Sequence, residues 1–154
     1  KSVTIEQMER WAKDFDSWDI CDGCCFSLFA QPPFAWDKAL EWSVRQEEFV
    51  KRAGFALMAK LALGSQPLPD ESYERFFRAI LFAADDVRPF VKKAVNWALR
   101  LIGKRNRVLN GRAIDVAEEV RRLNSRSARW IASDALRELH SDAVQTRLRA
   151  REGV

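Results

Sequence analysis

The chain has a single histidine, His140, which argues against any site built from several imidazoles and against a Ser-His-Asp triad. It has no G-x-x-x-x-G-K-[ST] string and no G-x-G-x-x-G string, so nothing points to nucleotide hydrolysis or to dinucleotide binding. Six glycines and five prolines in 154 residues are too little turn material for an all-β protein. No apolar run approaches the roughly 20 residues of a membrane span, and no secretory leader is recognisable. The expectation is a cytoplasmic protein with no membrane contact. The first residue is Lys1 rather than Met, so part of the natural protein is expected to be missing. The three cysteines, Cys21, Cys24 and Cys25, crowd into five positions where a disulfide framework would be spread out. C-x-x-C-C invites a metal reading, but no second Cys/His cluster exists. On a helix the three would share one face, so reduced, core-facing thiols are expected, with no metal and no cofactor.

Hydrophobic residues make up 47% of the chain and charged residues 31%, the composition of a globular protein with a real core. The length suits one domain, 1–154. The net charge of +4 is unevenly placed: residues 1–50 hold five basic and ten acidic side chains, residues 51–154 hold 21 and 12. From Arg88 to Arg112 there are eight basic residues and no acidic one. Such a block suits a polyanion, since each neutralised phosphate releases counterions. A solvated basic helix face is the blander account.

Apolar residues recur at helical spacing almost throughout. The pattern predicts helices over residues 4–14, from Ser17 to Phe29 with Gln31-Pro32-Pro33 ending it, over 34–44, and from Gln46 to Leu63 with a stop at Gly64-Ser65. A loop follows at Ser65–Pro69, and Asp70 is expected to cap a helix reaching Ala84. The next should start near Asp86 with Pro89 in its first turn and stop at Gly103. Asn110 or Gly111 is expected to open a helix to Leu123, Asn124 or Ser125 one to Leu139, and Ser141 a last, strongly basic one.

Alternate helices echo one another. Lys51-Arg52-Ala53 leads into Phe55-Ala56-Leu57, Lys92-Lys93-Ala94 into Trp97-Ala98-Leu99, and Ala128-Arg129-Trp130 into Ala135-Leu136. Arg52 and Lys93 lie 41 residues apart, Lys93 and Arg129 lie 36 apart. A loose period near 40 built of helix pairs is the mark of a HEAT-type solenoid. The expected fold is therefore all-α, a curved α-α superhelix. The cations near the start of each second helix, Lys51, Arg52, Lys92, Lys93 and Arg129, with Arg100 further along, should line one surface. Long basic stems also snorkel over helix packing with no ligand at all.

The richest stretch is Phe15-Asp16-Ser17-Trp18-Asp19-Ile20-Cys21-Asp22. Trp18 and Asp22 are i and i+4, on one helix face. In the bland reading Asp16 or Ser17 caps a helix, Trp18 packs in the core and Asp22 pairs with a nearby cation. The W-D-x-x-D of Trp18–Asp22, then Phe49-Val50-Lys51-Arg52-Ala53, then V-x-K-A-x-x-W-x-L-R over Val91–Arg100, together resemble the DNA alkylation repair enzymes, AlkD-like glycosylases built of HEAT-like repeats. The likeness runs from about Trp11 to Leu139.

The resemblance implies removal of N3- and N7-alkylated purines from double-stranded DNA. A monomer with no cofactor is expected. By position it makes Asp22 the catalytic carboxylate, Trp18 and Trp97 its paired aromatics, and Arg52 a backbone-binding cation. Members of that family usually carry further helices before the W-D-x-x-D segment, so the expectation is either that N-terminal repeats are missing or that the chain is a shortened, divergent relative. The alternatives are a non-catalytic DNA-binding repeat protein and a protein-interaction scaffold.

Overall fold

The computed structural model describes residues 3–30, 33–66 and 68–153. Among these it contains nine α-helices and no strand: α1 (Ile5–Lys13), α2 (Trp18–Cys24), α3 (Ala35–Ser43), α4 (Glu48–Leu63), α5 (Glu74–Ala83), α6 (Pro89–Gly103), α7 (Arg107–Arg122), α8 (Arg126–Leu139) and α9 (Asp142–Glu152). The all-α expectation holds. Gln31, Pro32 and Pro67, to which helix-ending and loop roles were assigned, lie outside the described residues.

The helices form two layers. Helices α2, α4, α6 and α8 pack on one another in succession, and so do α3, α5 and α7. Across the layers α3 lies on α4, α5 on α6 and α7 on α8. Sequence pattern sets each helix's place. In α5 only Phe76, Phe77, Ile80 and Ala83 are buried, a single stripe that faces the partner layer. In α4 every residue from Arg52 to Ala59 is buried, because α1, α2, α3 and α6 surround it. One hydrophobic cluster runs from Met8 on α1 to Leu139 on α8.

Gly54 permits the close approach of α3 and α4. A Cβ there would lie 2.6 Å from the Ser43 backbone nitrogen and 2.8 Å from the Ala39 carbonyl oxygen. Both are backbone atoms, so no side-chain rotation relieves the clash. Gly54→Ala is expected to destabilise the fold by about 1–3 kcal/mol, which outweighs the gain of about 1 kcal/mol in helix propensity. Thermal unfolding should show a Tm lower by roughly 2–12 °C. A raised Tm would mean that the two helices separate without cost.

Several helix boundaries differ from the sequence pattern. The stretch Ser17–Phe29 is helical as expected, but its second half, Cys25–Phe29, is a π-helical turn, with the Ala30 amide donating to the Cys25 carbonyl. Asp70 does not cap a helix. It opens a 3-10 turn, Asp70–Tyr73, and its carboxylate accepts from Asn106 Nδ2 at 2.9 Å. Helix α7 opens at Arg107, not at Asn110 or Gly111, because Asn106 Oδ1 accepts the Leu109 amide at 2.8 Å. Asn110 is buried inside α7 and donates to the Gly103 carbonyl at 2.9 Å, serving the C-terminus of α6. Ser125 and Ser141 cap α8 and α9 as expected, and Pro89 is the first residue of α6.

Candidate nucleic-acid interface

Helix α2 is fixed to α4 by its cysteines. Cys21 and Cys25 are fully buried, and their thiols donate to the Phe49 and Ala53 carbonyls at 3.4 and 3.6 Å. Burial pushes the Cys25 thiol well above its ordinary pKa, so it stays protonated and packs as a small apolar group. With that face turned inward, Asp22 is carried to the flank of α4. There Arg52 Nε donates to Asp22 Oδ1 at 2.9 Å and Arg52 Nη2 to Oδ2 at 2.7 Å. Arg52 Nη1 donates to the Phe90 carbonyl at 2.7 Å, which ties the pair to α6. Arg52 is only 7% exposed, one of few buried charges among the described residues.

The bland reading of Asp22 as an ion-pair partner is thus met in the structure, but that of Trp18 as a core residue is not. Trp18 opens α2 one turn before Asp22 and is 51% exposed. One turn after Asp22, Phe26 stacks on Trp97 with ring centroids 5.0 Å apart and planes 11° from parallel. Lys60 Nζ lies 5.2 Å from the Phe26 centroid.

Trp97 opens onto a shallow cleft of about 440 Å³. Arg52 lies on its α4 side, Lys93 and Arg100 flank Trp97 on α6, and Trp130 with Asp134 forms the α8 wall. Asp22 and Trp18 are not among its lining residues; Asp22 stands one side chain back, behind Arg52. The cleft's polar groups are held from both walls. Asn96 Nδ2 donates to Asp134 Oδ2 at 2.6 Å, and Arg100 and Lys104 share Glu138. Burial pulls the Glu138 carboxyl upward, but the hydrogen bonds from Lys104 and Arg100 outweigh it and hold it below the usual range.

The remaining expected cations separate. Lys92 Nζ sits 4.8 Å above the Trp130 ring, at the cleft's edge. Lys51 turns to Asp86 at 2.9 Å and is used there by the fold. Arg129 is exposed and donates to Asn124 Oδ1 at 2.9 Å, outside the lining. The expected row of Arg52, Lys93 and Arg129 is therefore really Arg52, Lys93 and Trp130. Successive helical residues point about 100° apart, so a slip of one position leaves the face altogether.

Trp130, Asp134 and Phe26 were not singled out from the sequence. Phe26 had a usable signal, being i+4 from Asp22 and i+8 from Trp18 on one face. For Trp130 and Asp134 the signal was the offset of 37 or 38 residues from Lys93 and Asn96, hidden by the apparent match of Arg129.

Guanidinium, ammonium and indole groups brought to one open cleft have the chemistry of a nucleic-acid interface: cations for phosphates, flat faces for sugars and bases. A family model described as DNA alkylation repair enzyme matches residues 1–139, and the chain belongs to that family. Membership places it among DNA repair enzymes. No curated protein and no solved structure matches the chain. Among the described residues no helix is long and apolar enough to cross a membrane.

Proposed function

We propose that this chain hydrolyses the N-glycosidic bond of N3- or N7-alkylated purines in duplex DNA, as a single domain of HEAT-like helix pairs. The repeat reading is supported by the two helix layers and by the offsets of 41 and 37 residues at which Arg52, Lys93 and Trp130 meet one cleft. The observation that carries the catalytic reading is a carboxylate, Asp22, clamped in one orientation by Arg52 beside a cleft walled by Trp97 and Trp130.

The chemistry asks for little more. Alkylation at N3 or N7 makes the purine cationic. The C1′–N bond breaks with its electron pair going to the ring nitrogen, so the base departs neutral and needs no general acid. Positive charge moves to the sugar, as in glycoside hydrolysis. Asp22 stabilises that charge and orients the water whose oxygen bonds to C1′; the surplus proton leaves to solvent. The indole faces of Trp97 and exposed Trp18 each add about 0.5–2 kcal/mol of attraction for a cationic sugar. Three of the five N–H donors of Arg52 are used by Asp22 and Phe90. The other two are available to a phosphate oxygen. Lys93, Arg100 and Lys92 supply further phosphate contacts around the cleft.

The test is a base-release assay on methylated duplex DNA with the full chain. Free 7-methylguanine or 3-methyladenine should accumulate. Duplex binding without release would instead support a non-catalytic DNA-binding protein, the reading favoured by the engagement of both Asp22 oxygens.

A further inference from the structure

A second cavity, also of about 440 Å³, lies at the C-terminal ends of α4 and α6, where Arg147 and Arg151 of α9 reach it. Its lining carries four cations, Lys104, Arg105, Arg147 and Arg151, and no carboxylate. Lys104 is matched by Glu138, which it shares with Arg100. Arg105 donates to the carbonyls of Ala62, Gly64 and Gln66, and Arg151 to those of Lys104 and Arg105. Those bonds hold the helix ends but leave both charges without a carboxylate. Arg147 has neither a hydrogen bond nor an ion pair among the described residues. Asp70 bonds a lining residue, Asn106, from outside the lining. Three positive charges therefore converge uncompensated on one concavity.

The cavity continues the face of α6 that carries the cleft. Lys93, Trp97, Arg100 and Lys104 follow one another at spacings of four, three and four, a single helical face. Lys104 lines this cavity and shares Glu138 with Arg100, which lines the cleft. From Trp97 to Lys104 is two helical turns, about 10 Å. That matches about three base-pair rises of a duplex. Arg147 and Arg151 are i and i+4 on α9, so both reach the cavity from one face. The match to the family ends at residue 139, and α9 lies beyond it.

We propose that the Arg147–Arg151 cavity is a phosphate subsite that holds the backbone of the same duplex about three base pairs from the cleft. This rests on the duplex-binding part of the proposed function and not on its chemistry. The shared chemistry is a phosphate oxygen dianion or monoanion; the duplex backbone is the source that continuity with the cleft favours, and inorganic phosphate is the other.

The experiment measures binding of an undamaged 20-base-pair duplex by the full chain across a salt series. The variants are R147Q, which removes no contact within the fold, R147Q/R151Q, and a charge-matched control, R75Q/R78Q, on exposed positions of α5. Loss of one phosphate contact should make the slope of log K against log salt shallower by about 0.9. The double variant should show at least that change and roughly tenfold weaker binding at fixed salt. R147Q should move the slope in the same direction with an unchanged Tm, and the control should leave the slope alone. An unchanged slope in both cavity variants, or an equal change in the control, overturns the proposal. So does a rise in Tm with millimolar inorganic phosphate that R147Q abolishes while duplex binding stays unaltered; the cavity would then take free phosphate. Base release is read in parallel. Release with an unchanged slope removes this subsite and leaves the enzyme, while a changed slope without release leaves the subsite and removes the enzyme.

Discussion

Asp22→Asn is expected to slow release of alkylated purines at least about thirtyfold while leaving duplex affinity equal or slightly higher. The size follows from the charge it removes. Two unit charges about 4 Å apart interact by about 4 kcal/mol at an effective dielectric near 20. If half of that is realised only as the sugar becomes cationic, about 2 kcal/mol of barrier is at stake, or roughly thirtyfold in rate. Affinity should not fall, because the lost charge is of the same sign as the phosphates and Arg52 is freed toward them. The same substitution weakens an ion pair whose side chains are 17% and 8% exposed, so thermal unfolding must accompany the assay. A folded variant with undiminished release would remove Asp22 from the mechanism.

Asp86→Asn is expected to have the largest effect on stability, about 3 kcal/mol at pH 7, the lower end of the cost of breaking a buried ion pair. Asp86 lies in the α5–α6 turn and is 10% exposed at its side chain. It accepts from Lys51 Nζ at 2.9 Å, and from Arg88 at Nη2 (2.8 Å), Nε (3.1 Å) and the backbone amide (3.0 Å). Its carbonyl accepts from Ser127 Oγ of α8 at 2.7 Å. One residue thus joins α4, the start of α6 and α8. Differential loss should lower the Tm by roughly 6–12 °C.

The pH dependence has a definite sign. Burial pulls the Asp86 carboxyl upward, but the bonds from Arg88 and Lys51 outweigh it and hold it well below the usual carboxylate range. A depressed folded pKa contributes stability that is present above the unfolded value, about 3.9, and lost as pH falls toward the folded one. The difference between wild type and Asp86→Asn should therefore be full at neutral pH and shrink below about pH 4. A constant difference from pH 7 to pH 2 would show that folding does not depress the Asp86 pKa.

Most of the helical architecture was legible from local pattern. Ser125 and Ser141 as caps, Pro89 in a first turn and the stop after Leu63 all depend on groups a few residues apart, and sequence displays such neighbours directly. The expectations for Asp70 and Asn110 failed for a common reason. Each is a good capping residue whose hydrogen bond goes to a different helix, Asp70 to Asn106 and Asn110 to Gly103. At the candidate site the sequence pointed to Asp22, Arg52 and Trp97 by resemblance, and to a cation partner for Asp22, but not to Arg52 as that partner across 30 residues of chain. Nor did it show Trp130 as a wall of the cleft, since repeats of 41 and 37 residues are not in strict register.

What the sequence alone determined is a chain of amphipathic helices with an acidic first third, a basic remainder and reduced cysteines facing a core. These follow from residue type and from a period of 3.6, which every residue carries with it. Tertiary structure decided which cations remain available to a partner. Lys51 and Arg52 carry the same charge as Lys93 and Arg147, but the first two meet carboxylates brought from 35 and 30 residues away. Whether a charge is spent on the fold or left for a ligand depends on what faces it in space, and that is fixed only when the helices pack.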